Sequence, residues 1–372
     1  MKILITGANG FVGKNLHASL MLHPSIEVLL YDIDNTTFEL DVMLEQADII
    51  FHLAAVHRPL QVEEFNTVNV GLTSLICEKL IKIGRTPKII LTSSIHAELD
   101  NPYGESKRGA EEELRNYADV GFGESVVYRL NHLFGKWSTP NHHSVTATFC
   151  YNIARDLPIQ VSNPANELRL TYIDEVMSAF IAEIDAPMVP GFRYANTLPS
   201  YPITLGMLAD LIRGFRAHRQ TLMLADYSDP FVRALYATYL SYLDTDQFGY
   251  GLDIKSDNRG SLAEFIKSPH IGQLFISRTN PGITRGNHYH QTKTEKFMVM
   301  QGEGVIRFRH INGTEVLEYP VRGEEYRVVD IPPGYTHHIE NVGTGEMVTL
   351  FWSSYLFDPD APDTYFEPVF LD

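Results

Sequence analysis

The opening of the chain, Met1 to Gly13, constrains its fold more than any other stretch. Lys2–Thr6 is an apolar run of strand length, Gly7-Ala8-Asn9-Gly10-Phe11-Val12-Gly13 follows directly, and a helical pattern carrying Leu16, Leu20 and Leu22 comes next. Strand, glycine turn and helix together give a glycine pattern its meaning. Glycines let the backbone approach a pyrophosphate, and free N–H groups at the helix N-terminus point toward its charge. Gly7, Asn9, Gly10, Phe11, Val12 and Gly13 are therefore candidate dinucleotide contacts. A second apolar run, Glu27–Tyr31, ends at Asp32, whose carboxylate would accept from a ribose 2′-hydroxyl and repel a 2′-phosphate; Asp34 competes for that role. Further strands at residues 49–53 and 88–92, separated by a helical stretch over 68–83, predict a doubly wound parallel sheet.

At 372 residues the chain exceeds one typical domain. After Asp244, short runs of valine, isoleucine and phenylalanine alternate with glycine and proline turns, which predicts an all-β sandwich or barrel. The expected boundary lies near residue 245, giving domains 1–244 and 245–372. With 30 basic and 46 acidic residues the formal charge is -16, which argues against nucleic acid or an anionic membrane surface as partner. A local anion site remains compatible with that balance. Cys77 and Cys150 read as reduced core thiols, in keeping with a reducing cytoplasm. The chain runs straight into a strand instead of a signal peptide, and no apolar run reaches the roughly 20 residues needed to span a bilayer. A cytoplasmic location is expected.

Two stretches carry chemistry. In Tyr103-Gly-Glu-Ser-Lys107 the tyrosine and lysine share one helix face, so the ammonium can lower the phenol's pKa toward working pH. Ser94 ends a strand at the carboxyl edge of the sheet, where ligands bind, and could hold a substrate carbonyl beside that phenol. In the second half, His288 and His290 share a strand face, Glu295 can join them after a tight turn, and His337 is a candidate fourth donor. Such a set suits Zn2+ or a similar divalent metal. Lys296, His310 and Tyr355 are candidates for acid or base work, whereas Asn141, His142 and His143 read as solvated loop residues.

The motifs of the first half resemble, in order, those of the extended short-chain dehydrogenase/reductases over roughly residues 1–240: the glycine turn, His52-Leu53-Ala54-Ala55, Asn69-Val70-Gly71, Ser94, and Tyr103 with Lys107. The resemblance implies that Tyr103 exchanges the proton, Lys107 binds the nicotinamide ribose and tunes Tyr103, and Ser94 orients the carbonyl. It adds Leu53, Ala54, Ala55 and Asn69 to the cofactor contacts. The interval between Ser94 and Tyr103 is shorter than in many members. Residues 127–137 resemble the segment that closes over nicotinamide and begins a sugar-nucleotide pocket, which implies Arg129 and Asn131 as substrate contacts; Arg129 also reads as a core-edge ion-pair residue. Residues 168–176 resemble a step bordering the substrate, with Arg169 a candidate diphosphate contact.

Gly282, His288, His290, Glu295 and Gly302 match the first cupin motif, and Pro332, Gly334, His337 and Asn341 the second, with the glycine usual before the proline displaced to Gly323. Arg285-Gly-Asn-His-Tyr289 also resembles a turn of metal-free deoxysugar epimerase cupins, where the matching histidine is a general base, so His288 reads as ligand or base. A reductase joined to a cupin, together with Asn101-Pro-Tyr-Gly-Glu-Ser-Lys107, residues 133–137, residues 304–310 and residues 362–366, is similar to the bifunctional capsular polysaccharide enzymes of the UDP-N-acetyl-L-fucosamine pathway. That likeness implies a UDP-linked 4-keto-6-deoxy amino sugar as substrate. It implies C3 epimerisation by the cupin, then NADPH- or NADH-dependent reduction at C4 to UDP-2-acetamido-2,6-dideoxy-L-talose, for L-FucNAc in capsule or O-antigen. It also implies a homodimer through the cupin. NADPH is the usual coenzyme of that family, and Asp32 sits badly with a 2′-phosphate. The alternatives are a reductase carrying a non-catalytic sugar-binding or dimerising cupin, and one reductase site performing both reactions.

Overall fold

The computed structural model describes the chain apart from Arg58, Phe122, His143 and Asp372, so the expectation for His143 lies outside the described residues. The chain divides into two compact units, Met1–Arg213 with Arg233–Leu243, and Gly214–Val232 with Asp244–Asp372.

The first unit is built on a parallel sheet of six strands, β1 (Lys2–Thr6), β2 (Glu27–Tyr31), β3 (Ile49–His52), β4 (Lys88–Ser94), β5 (Glu124–Leu130) and β8 (Gly191–Tyr194), in the order β2-β1-β3-β4-β5-β8. Parallel strands need crossovers, supplied by helices that cover both faces. Successive side chains of β1 alternate accordingly. Ile3 and Ile5 pack with Leu16 and Leu20 of α1 (Phe11–Leu20) and with Val176 and Phe180 of α6 (Ile173–Asp185). Leu4 packs with Leu40 and Leu44 of α2 (Thr37–Gln46), Ile76 and Leu80 of α3 (Gly71–Ile83), and Leu114 of α4 (Pro102–Asp119). Burying each such side chain contributes about 2 kcal/mol before conformational entropy is subtracted. Between β5 and α6 lie β6 (His132–Phe134), α5 (Val145–Ala154) and β7 (Glu167–Tyr172); β6 and β7 form a small sheet with β9 (Tyr201–Thr204). The doubly wound parallel sheet expected from the alternating pattern is thus the one observed. No helix among the described residues is long and apolar enough to cross a membrane.

The second unit is antiparallel and all-β apart from short helical turns and the segment Gly214–Val232. One sheet holds β10 (Ile254–Asp257), β11 (Gly260–Ser268), β12 (Gly272–Thr279), β19 (Met347–Ser353), β14 (Glu295–Gln301) and β17 (Val328–Ile331). The other holds β16 (Val316–Arg322), β15 (Glu303–His310), β18 (Tyr335–Asn341), β13 (Thr284–Tyr289) and β20 (Tyr365–Phe366). Inward residues, among them Phe297, Val299, Ile306, Phe308, Ile331 and Ile339, form its core. This is the cupin-like architecture expected for the second half.

Candidate active sites

The glycine turn forms a cradle that only glycine fits. Gly7 has φ +70°, and a Cβ there would meet the Ala54 backbone at 2.7 Å; a Cβ on Gly13 would lie 2.3 Å from the Gly7 carbonyl oxygen. Above the turn opens a cavity of about 820 Å³ whose lining includes Gly7, Gly10, Phe11, Val12, Gly13, Leu53, Ala55, Ser94, Tyr103, Lys107 and Asn131. Most of the expected dinucleotide contacts and the Ser94, Tyr103 and Lys107 group are therefore brought together. Asp32 stands beside the turn, accepting from the Asn9 N–H at 2.7 Å and the Ile33 N–H at 2.8 Å.

A buried hydrogen-bond chain fixes this geometry. The Ala54 N–H donates to Thr6 Oγ1 at 3.3 Å, and Thr6 Oγ1 lies 2.7 Å from His52 Nδ1. His52 Nε2 lies 2.9 Å from Thr73 Oγ1, which itself donates to the Asn69 carbonyl at 2.7 Å. Because the Thr73 proton is already committed, His52 carries its own proton on Nε2 and accepts on Nδ1. Asn69 Nδ2 donates to Ser106 Oγ at 2.9 Å, and Ser106 donates to the Tyr103 carbonyl at 2.8 Å. The expected cofactor residue Asn69 is buried and outside the cavity lining; it braces the helix that carries Tyr103. Burial, reinforced by the Lys107 charge, pushes His52 down to about 3, so its imidazole is neutral.

Lys107 is buried and donates to the Thr92 carbonyl at 3.0 Å. Burial lowers its amine to about 8, with the Glu111 carboxylate opposing that fall. Tyr103 differs from expectation in direction: burial raises its phenol, and only the Ser94 hydroxyl works to lower it. His57 and His96 stand 5.4 and 6.3 Å from the Tyr103 ring, and His132 stands 5.6 Å from His96. All three line the cavity. Sequence reasoning missed them, although His96 falls within the short Ser94–Tyr103 interval and His132 directly follows Asn131.

Arg129 does not line the cavity. Its guanidinium is held by the Glu111 carboxylate, at 2.6 Å from Nη2 and 3.0 Å from Nε, and by Glu98 and the Tyr194 hydroxyl, which makes it an ion-pair residue near the carboxyl end of β5. Arg169 lies exposed on β7, also outside the lining.

In the second unit His288, His290, Glu295 and His337 converge, with one donor atom from each within 4.8 Å of all the others. A bulge in β13 between Gly286 and His288 sets His288 opposite His337 of β18. His290 and His337 are buried, and the Nε2 atom of each has no hydrogen-bond partner. The Glu295 carboxylate stands 3.3 and 3.5 Å from those two nitrogens. Burial works to raise the Glu295 carboxyl, but the two imidazoles outweigh it and hold it well below the usual range. Burial and then His337 push His288 down to about 4. Three imidazoles and one carboxylate whose donor atoms converge form a set that fits a divalent ion such as zinc. Lys296 is not part of the cluster: it follows Glu295 on β14, so it points to the opposite face, where it pairs with Asp330. His310 is exposed and stacks edge-on against Tyr335, and Tyr355 is half exposed.

The fold and the first cavity define a dinucleotide-binding α/β protein of the reductase and epimerase class, extended by a cupin-like unit. The chain belongs to the NAD dependent epimerase/dehydratase family, whose profile matches residues 3–191; a polysaccharide biosynthesis C-terminal domain matches residues 255–365. It is 43% identical to the UDP-2-acetamido-2,6-beta-L-arabino-hexul-4-ose reductase of Pseudomonas aeruginosa over 98% of each chain. Among solved structures it is similar to the capsular polysaccharide assembling protein CapF of Staphylococcus aureus, with TM-score 0.92 and 45% identity, covering 99% of this chain and 100% of that one. A UDP-glucuronic acid 4-epimerase of Bacillus cereus, solved with NAD, shares the fold of the first unit at TM-score 0.55 and 17% identity, over 65% of this chain and 98% of that one.

Proposed function

We propose that this chain is a bifunctional sugar-nucleotide enzyme of capsular polysaccharide synthesis, with an NAD(P)H-dependent reductase domain over 1–244 and a cupin epimerase domain over 245–372. The observation that carries the reading is the presence, in one chain, of Tyr103 and Lys107 in a dinucleotide cavity and a buried cluster of three histidines and a carboxylate. The proposed substrate is a UDP-linked 2-acetamido-2,6-dideoxy-4-keto-hexose, by analogy with the Pseudomonas relative.

The reductase cavity would hold a dinucleotide, which when bound would supply the hydride for C4. Ser94 holds the ketone oxygen, Tyr103 gives it a proton, and Lys107 carries the positive charge that favours that transfer. The glycine turn and Asp32 seat the coenzyme; equal or better use of NADPH than NADH, read from their Michaelis constants, would overturn discrimination by Asp32. In the cupin, a divalent ion held by His288, His290, Glu295 and His337 would supply Lewis acidity toward the same ketone, which acidifies the C3 proton. Acidity at C3 needs the ketone, so epimerisation precedes reduction; the resemblance to the capsular polysaccharide enzymes implies the L-talose derivative as product. The reading includes a homodimer through the cupin and a cytoplasmic location.

The test is to incubate the full chain, wild type and Tyr103→Phe, with the 4-keto substrate in heavy water. Deuterium is expected at C3 in both, with NAD(P)H oxidation only in the wild type. No deuterium in either leaves the cupin non-catalytic, and loss of both signals in the variant points to a single site in the reductase.

A further inference from the structure

The two ring nitrogens of His290 face different surroundings. Its Nε2 is directed at Glu295 and the other cluster residues, while Nδ1 lies 2.6 Å from the backbone carbonyl oxygen of Asp363. A carbonyl can only accept, so Nδ1 carries the proton and Nε2 keeps its lone pair for the cluster. The carbonyl that sets this tautomer lies near the C-terminus of the chain, not on a strand of the barrel.

Asp363 is itself held tightly. Its φ of +41° is unusual for a residue other than glycine. Its carboxylate accepts from the backbone N–H groups of Gln291, Thr292 and Lys293 at 2.9, 2.9 and 2.8 Å, and from Thr292 Oγ1 at 3.0 Å. These are the residues that connect His290 to Glu295. One side chain thus organises the loop between two cluster residues, while its own carbonyl orients the first of them.

The residues that follow are tied to the other two histidines. Phe366 pairs with His288 in the β13–β20 ladder. Thr336, next to His337, donates through Oγ1 to the Glu367 carbonyl. Buried Arg309 donates to the carbonyls of Pro368 and Val369 at 2.7 and 3.0 Å and to the Glu367 carboxylate at 2.6 Å. Every histidine of the cluster is therefore braced by residues 363–369, directly or through a neighbour.

We propose that Asp363 is the positioning residue of the metal site, and that docking of the C-terminal segment 362–369 is coupled to metal binding. This rests on the metal reading proposed above. An ion that needs the Nε2 lone pair of His290 favours the docked segment, and the docked segment favours the ion by the same free energy.

The experiment uses the full chain stripped with a chelator and titrated with cobalt(II), followed by visible absorption, then with competing zinc(II). The wild type is expected to take up one equivalent. Asp363→Ala should bind about 10- to 100-fold more weakly with an altered cobalt spectrum, and Asp363→Asn, which keeps one acceptor oxygen, should fall between. Unchanged affinity and spectrum in Asp363→Ala overturn the proposal. A wild type that binds neither ion removes the metal reading itself, which is a distinct outcome. If Asp363→Ala does not fold, hydrogen exchange of the wild type decides the matter. The ion should slow exchange at the amides of Gln291, Thr292, Lys293, Glu367 and Val369, and exchange there indifferent to the ion overturns the coupling.

Discussion

Glu111 lies two helical steps beyond Tyr103 and one beyond Lys107 on the same face of α4, and its carboxylate grips the Arg129 guanidinium through both Nη2 and Nε. Glu111 is 4% exposed, so it places a buried negative charge where it resists the loss of the Lys107 proton. The Tyr103 phenol is raised and stays protonated through neutral pH. The alkaline limb of reduction therefore belongs to Lys107: its ammonium is present below about 8 and lost above it, so NAD(P)H oxidation should decline as pH rises through that value. Glu111→Gln removes the opposing carboxylate and leaves Arg129 in place, which moves that midpoint to lower pH. It should also reduce stability by about 2 kcal/mol, less than the roughly 3–5 kcal/mol of a fully buried broken pair, because Arg129 keeps partial access to water. A pH–rate profile with the midpoint unmoved would sink the argument.

The His52 chain gives a separate prediction about folding. Thr73→Val keeps the volume but removes the acceptor of the His52 Nε2 proton inside a site that excludes water. An unsatisfied buried donor costs about 1–3 kcal/mol, so urea unfolding should show that loss with an unchanged slope. Thr73→Ser keeps the hydroxyl and should recover most of it. Equal stability of the valine and serine variants would falsify the proposed proton order along the chain.

Much of this was legible in the chain itself, for a physical reason. Strand-length apolar runs, the glycine turn and the histidine spacing are local signals, so the parallel sheet, the all-β second half and the grouping of His288, His290 and Glu295 could be read from short windows, whereas His337 entered as a candidate from a separate motif. Arg129 shows where that ends. Its candidacy came from its neighbours in sequence, whereas its partners Glu111, Glu98 and Tyr194 come from other segments. Lys296 is a different case, since strict alternation after inward Glu295 already sends it outward. The direction of the Tyr103 shift depends on burial, which no i, i+4 spacing reveals.

The glycine cradle predicts a loss of binding with the fold retained. In Gly13→Ala the new methyl would stand 2.3 Å from the Gly7 carbonyl oxygen and 2.8 Å from Ala8 Cα, both backbone atoms that cannot swing aside. Relief requires the turn to move away from the position that receives a pyrophosphate. Coenzyme affinity, followed by fluorescence titration with NADH and NADPH, should fall at least about 10-fold, the equivalent of about 1.4 kcal/mol. Circular dichroism should stay close to the wild type, because β1 and α1 are held in the core by Ile3, Ile5, Leu16 and Leu20, away from the turn. Wild-type affinity in this variant would remove the turn from the coenzyme site.

Asn287 occupies the bulge that sets His288 opposite His337, and it combines two roles that substitution can separate. Its φ of +60° is the left-handed conformation, which costs alanine about 1 kcal/mol and glycine almost nothing. Its Oδ1 accepts from the Val369 N–H at 3.2 Å and lies 3.0 Å from His338 Nδ1. Asn287→Gly loses only those side-chain bonds, an expected cost of about 1–2 kcal/mol. Asn287→Ala loses them and adds the backbone strain, for about 2–3 kcal/mol in all. Urea unfolding of both variants with metal chelated isolates the protein's own contribution. If alanine proves as stable as glycine, the bulge is held by its surroundings and not by the backbone preference of this residue, and the aim of His288 must then be attributed to the β13–β18 and β13–β20 ladders.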